Sequence, residues 1–101
     1  MSTKVQDLFD LSGQVALVTG GSAGIGKGIA KAFADAGASV MIVSRKADKC
    51  EAAAKEIGGD VDSRAHHVGD PDEGARAIDE TIERFGAVDI LVNNAATNPH
   101  A

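Results

Sequence analysis

Thr19-Gly20-Gly21-Ser22-Ala23-Gly24-Ile25-Gly26 sets four glycines within eight residues, immediately after the apolar run Val15-Ala16-Leu17-Val18. A short apolar run of this kind reads as a strand buried on both faces. Beyond the glycines, Ile25, Ile29, Phe33 and Ala36 recur at helical spacing, with Lys27, Lys31 and Asp35 on another face. The glycines therefore lie in a strand-to-helix turn. Glycine permits positive φ there, absent Cβ atoms let a ligand approach the main chain, and free N–H groups at the helix start attract an anion such as a phosphate. The spacing is Gly-x-x-x-Gly-x-Gly through Gly20, Gly24 and Gly26, different from Gly-x-Gly-x-x-Gly. A P-loop is the rival reading, through Gly21-x-x-x-x-Gly26-Lys27. It stops at Gly28, where Ser or Thr would bind Mg²⁺, and Asp89 precedes its strand instead of ending it.

Outward from this turn, the pattern alternates. Ser39 to Val43 is a second buried strand, and Gly37 ends the helix before it. Cys50, Ala53, Ala54 and Ile57 mark a second helix, stopped by Gly58-Gly59. Arg64 to Val68 reads as a weaker third strand. Asp70-Pro71-Asp72-Glu73 opens a third helix as N-cap, proline at N1, and acids in the first turn, with Glu73 at N3. Ala75, Ile78, Ile82 and Phe85 supply its apolar stripe and Gly86 closes it. Val88 to Val92 is the fourth strand, followed by Asn93-Asn94-Ala95-Ala96. This β-α-β-α-β-α-β order predicts an α/β fold: a doubly wound, Rossmann-type parallel sheet, incomplete, with strand order 3-2-1-4. Two helices fall on one face and the third on the other, leaving the fourth strand as an open, apolar edge that favours association. Residues 1–10 read as an N-terminal arm, and 11–101 as the dinucleotide-binding part of such a domain.

Composition narrows the partners. The 101 residues carry 10 Lys and Arg against 15 Asp and Glu, a formal charge of −5, and 3% aromatics without Trp or Tyr. Nucleic acid binding wants a basic face and stacking rings, and neither is present. No apolar run nears the ~20 residues of a membrane helix, and the N-terminus has no signal-peptide core. One cysteine, Cys50, fits a reducing compartment, so the expected location is cytoplasmic. No metal site is expected. His66 and His67 are neighbours in the expected third strand and would face opposite ways. Asp60-Val61-Asp62 reads as a polar turn, lacking the glycine and the final Glu of a calcium loop. Cys50, on an inner helical stripe, reads as a small hydrophobe.

Thr19 to Gly26, with Val15-Ala16-Leu17-Val18-Thr19-Gly20 before it and Asp89-Ile90-Leu91-Val92-Asn93-Asn94-Ala95-Ala96 far downstream, resembles the short-chain dehydrogenase/reductase family. The likeness runs from Leu11 to Pro99. Ser44-Arg45-Lys46 and Asn94 to Pro99 are most similar to its carbonyl and retinal reductase branch. The resemblance implies hydride transfer between a nicotinamide and a carbonyl or alcohol carbon. It places Gly20, Ser22, Ala23, Gly24, Ile25 and Gly26 along the pyrophosphate and nicotinamide side, Val68 beside the adenine, and Asn94, Ala95 and Ala96 near the nicotinamide ribose. The chain departs from the family at His67, where some members have Asp, and at Ala96, where Gly is usual.

In dinucleotide folds the end of the second strand meets the adenosine ribose. Ser44, Arg45 and Lys46 stand there in place of an acid, and arginine grips a phosphate with two parallel bonds. NADP is therefore expected over NAD. The family's Ser-Tyr-Lys chemistry is assigned to no residue here, because the chain ends at Ala101 and contains no Tyr. The expectation is the cofactor-binding part of an oxidoreductase, inactive alone; a small carbonyl or alcohol substrate and a homo-oligomer belong to a complete form. A stand-alone nucleotide-binding module is the alternative.

Overall fold

The computed structural model describes residues 10–94. Its elements are β1 (Val15–Thr19), α1 (Gly24–Asp35), β2 (Ser39–Ser44), α2 (Ala47–Ile57), β3 (Val61–Ala65), α3 (Pro71–Phe85) and β4 (Ile90–Asn93). All strand pairs are parallel and the sheet order is β3-β2-β1-β4. The fold is thus the incomplete Rossmann-type α/β sheet expected from the alternating pattern.

β1 is central because every residue of Val-Ala-Leu-Val-Thr is buried. Alternate side chains serve two layers. Ala16 and Val18, with Val40 and Ile42 of β2, pack beneath Ala30, Cys50 and Ala53 of α1 and α2. Leu17, with Met41 and Val43, packs beneath Ala77 of α3 in a smaller cluster. The α3 side is correspondingly bare: Leu91 of β4 is 56% exposed, and Ile78 and Ile82 are also exposed. The open edge and half-covered face are therefore present among the described residues.

Several boundaries differ from the sequence reading. β3 spans Val61–Ala65 instead of 64–68, because its register starts with Val40 opposite Val61 and ends with Ser44 opposite Ala65. Asp60-Val61-Asp62 is accordingly the entry into a strand, with Val61 packed on the larger cluster. His66 and His67 fall after β3, in the stretch that leads into the Val68–Gly69 turn, so strand alternation does not separate them. In α3 the buried residues are Ala77 and Thr81, while Ala75 is exposed. Small side chains let this helix sit close to the sheet, and the isoleucines are turned aside.

Helix ends follow local chemistry. The Asp70 side chain accepts from the Asp72 N–H at 2.9 Å, Pro71 occupies the first turn, and Gly86 adopts the left-handed conformation at φ 94°. Glu73 reaches beyond the cap: its Oε1 accepts from the His67 N–H at 2.8 Å. Asp89 clamps the start of β1 to the approach to β4. Its Oδ2 accepts from the Val15 N–H at 2.8 Å, and its own N–H donates to Val15 O at 2.8 Å.

Burial of Asp62 opposes its ionisation, but the Ser63 N–H and the guanidinium groups of Arg64 and Arg84 outweigh this and hold its carboxyl below the usual range. The resulting stability is present above the unfolded-state value and is lost as pH falls through the lower folded one. Hydrogen-exchange protection in β3, taken relative to intrinsic amide rates, should therefore fall in acid, and Asp62→Asn should remove much of that acid sensitivity. Asp89→Ala should lower stability in urea melts by roughly 1–3 kcal/mol, because the buried Val15 N–H loses its partner; Asp89→Asn should recover part of this.

Candidate dinucleotide-binding site

The carboxyl ends of β1, β2 and β4 meet at one edge of the molecule, and the glycine turn crosses there. Gly20 leaves β1 at φ 69° and its N–H donates to Val43 O at 2.7 Å, anchoring the turn to β2. Gly24, at φ 59°, starts α1 with no atom near its missing Cβ. Gly26 has the opposite reason for being glycine. A Cβ there would strike Gly20 O and lie 2.7 Å from Asn94 Nδ2. The first turn of α1 is therefore pressed against the end of β1 and the residue after β4. Gly21, which the sequence reading left out of the site, is buried, and its Cβ would meet Ile42 Cγ2 at 3.0 Å.

The start of α1 is electrostatically bare. Ala23 is its N-cap, makes no side-chain cap bond, and no acid lies in the first turn. Main-chain N–H groups and the helix dipole thus face outward without a competing carboxylate. Ser22 is half-buried and Ala23 is exposed. Ile25, assigned by its spacing to the helix stripe as well as to the site, is 76% exposed and contributes nothing to the core. A bare main-chain cradle closed by Gly26 can accept an anion, and Ile25 leaves an apolar surface beside it.

On the other side of Gly20 lies a cavity of about 330 Å³ lined by Gly20, Val43, Ser44, Arg45, His66, His67, Val68 and Gly69. The expected residues Ser44, Arg45 and Val68 are brought together here, and both histidines join them. Lys46 stands one residue on, as the N-cap of α2. Ser44 turns its hydroxyl inward, with Oγ 2.8 Å from Cys50 Sγ. Arg45 is exposed and is the cation lining the cavity.

Thr19 joins the strand ends. Its hydroxyl donates to Asn93 Oδ1 at 2.9 Å and accepts from the Asn94 N–H at 3.0 Å. The sequence reading missed this role; the signal was the parallel register, which sets Thr19 opposite Asn93. Asn94 is half-buried, with its amide toward Gly26. Ala95 and Ala96 lie outside the described residues. Asp89 sits at the end of the sheet away from the glycine turn, bonded to Val15. Among the described residues, no group of three or more His, Cys, Asp or Glu could hold a metal ion. No helix among them is long and apolar enough to cross a membrane.

Comparison with known proteins places this geometry. The short chain dehydrogenase family model matches residues 14–101. Zerumbone synthase of Zingiber zerumbet is 42% identical over 87 residues, 84% of this chain and 33% of that protein. The NADP-dependent (R)-specific alcohol dehydrogenase of Lentilactobacillus kefiri is 48% identical over 87 residues, 84% of this chain and 34% of that protein. The crystal structure of 3-ketoacyl-(acyl-carrier-protein) reductase from Brucella melitensis, complexed with NADH, superposes with a TM-score of 0.77 at 41% identity, covering 80% of this chain and 34% of that one. The chain thus spans about a third of the length of these relatives.

Gly26→Ala should reduce dinucleotide affinity at least about tenfold and lower stability by roughly 1–3 kcal/mol, since the backbone of Gly20 cannot yield. Gly28→Ala is the control. Its Cβ meets nothing within 4 Å inside α1, so stability should rise by about 0.5–1 kcal/mol. Thermal melts and cofactor titrations check both.

Proposed function

The chain belongs to the short chain dehydrogenase family, and from that premise we propose that it forms the cofactor-binding part of an NADP(H)-dependent oxidoreductase acting on a small carbonyl or alcohol. Bound there, the nicotinamide would supply hydride chemistry. This chain's own residues would bind and orient the dinucleotide. Gly20, Ser22, Ala23, Gly24, Ile25 and Gly26 would hold the diphosphate and border the nicotinamide. Ser44, Arg45, Lys46 and Val68 would take the adenosine end, and Asn94, Ala95 and Ala96 the nicotinamide ribose.

The observation that carries the cofactor preference is Arg45. It lines the cavity at the end of β2, where no carboxylate accompanies it among the lining residues. An acid at that position would accept from a ribose 2′-OH and repel a 2′-phosphate, whereas a guanidinium favours the phosphate. The proton-transfer role is given to none of the residues present. The sequence holds no Tyr, and the His66 ring that lines the cavity is engaged with Glu73 and Glu80 of α3. We therefore expect binding without turnover from these 101 residues, in a reducing cytoplasmic setting consistent with the lone buried Cys50.

Replacing Arg45 by Ala should weaken NADPH binding by on the order of tenfold to a hundredfold, the worth of a charge-assisted bond, and leave NADH binding nearly unchanged. Calorimetric titration of both cofactors measures the preference directly. Equal affinity of the unaltered protein for NADPH and NADH would overturn the NADP assignment while leaving a dinucleotide site in place.

A further inference from the structure

The turn that walls the adenosine cavity is held by a cluster the proposed chemistry does not use. His66 is only 11% exposed at its side chain, and each ring nitrogen faces a different carboxylate of α3. Nε2 lies 2.8 Å from Glu80 Oε1 and Nδ1 lies 3.6 Å from Glu73 Oε1. That same Glu73 oxygen accepts from the His67 N–H at 2.8 Å, and the His66 N–H donates to Ser44 O at 2.9 Å. The Gly69 N–H donates to His67 Nδ1 at 3.3 Å. The four residues from His66 to Gly69 are thus tied to β2 on one side and to α3 on the other, and all four line the cavity opposite Ser44 and Arg45.

A neutral imidazole has one N–H, so it can donate to one of these carboxylates and turns a lone pair toward the other. A protonated imidazole donates to both. The charged groups around it are Glu73 and Glu80 from α3, Arg64 from β3 with Nε 3.7 Å from Glu80 Oε1, and Arg45 and His67 bordering the same cavity. We propose that His66 is a positioning residue of the adenosine cavity. With Glu73 and Glu80 it fixes the 66–69 turn against the adenosine end of the dinucleotide, and its protonation tightens that hold. The inference rests on the dinucleotide reading above. It adds that cofactor affinity is proton-linked through a residue that does not itself touch the reacting atoms.

The test titrates the full chain with 2′,5′-ADP and, separately, with nicotinamide mononucleotide across the physiological pH range, where imidazoles change charge. Affinity for 2′,5′-ADP should fall as pH rises, by on the order of tenfold, the loss of one charge-assisted bond, while the mononucleotide responds little. His66→Gln keeps a donor toward Glu80 but has no proton to lose, so its profile should be flatter than that of the unaltered protein. The ligand phosphates and every other ionisable group are common to both proteins, so the difference between profiles reports His66. Glu73→Ala separates positioning from direct attraction. Simple attraction of the anion by charged His66 predicts tighter binding once that carboxylate is gone, whereas a loosened turn predicts weaker binding. Hydrogen exchange should quicken at the His67 and Gly69 amides in Glu73→Ala and stay unchanged across β1, which shows the variant is folded.

Parallel pH profiles for the unaltered protein and His66→Gln, or tighter binding by Glu73→Ala, would overturn the positioning role while leaving the dinucleotide site intact. Failure of the unaltered protein to bind NADPH, NADH and both halves would instead overturn the dinucleotide reading, and this inference with it.

Discussion

The close approach of α1 to the end of β1 is the constraint on which the site depends. At Gly26 the helix backbone lies so near Gly20 O and the Asn94 amide that no side chain fits between them. This contact aims the uncapped N–H groups of α1 across the ends of the strands. It also brings the residue after β4 under the glycine turn, so three separate stretches of chain converge on one cradle. The sheet order makes the convergence possible, because β1 has β2 on one side and β4 on the other.

Two polar clamps hold that geometry at opposite ends of β1. Asp89 fixes Val15 where the strand begins, and the Thr19 hydroxyl bonds to Asn93 and Asn94 where it ends. Between them Ala16, Leu17 and Val18 are essentially without solvent contact. Burying Leu17 and Val18 contributes on the order of 1.5–3 kcal/mol each, and repeated across both layers of the core this exceeds what either clamp supplies. The core thus supplies stability, while the clamps set the relation of β4 to β1. The two faces differ in how well they are covered, and Leu91 remains largely exposed on the thinner one.

Charge is distributed with the same economy. The chain has a formal charge of −5, yet the first turn of α1 has no acid and Arg45 lines the cavity. The carboxylates nearest the cavity, Glu73 and Glu80, are turned toward His66 and the His67 N–H. An anionic ligand would therefore meet main-chain N–H groups and a guanidinium, with the neighbouring acids already engaged.

How much of this was legible beforehand depends on whether neighbouring residues or distant ones decide it. Strand and helix alternation, the sheet order, the caps at Asp70 and Gly86, and the glycine turn follow from local spacing and backbone chemistry, so the 101 letters alone determined them. The start of β3 did not, because its polar sequence pairs wherever β2 offers register. Nor did the buried face of α3, where closeness to the sheet selected Ala77 and Thr81 over Ile78 and Ile82. The meeting of Thr19 with Asn93, and of His66 with Glu73 and Glu80, likewise belongs to tertiary structure. Contacts between residues 7 to 74 positions apart are created when strands and helices pack, and no local propensity specifies which partner a side chain will find.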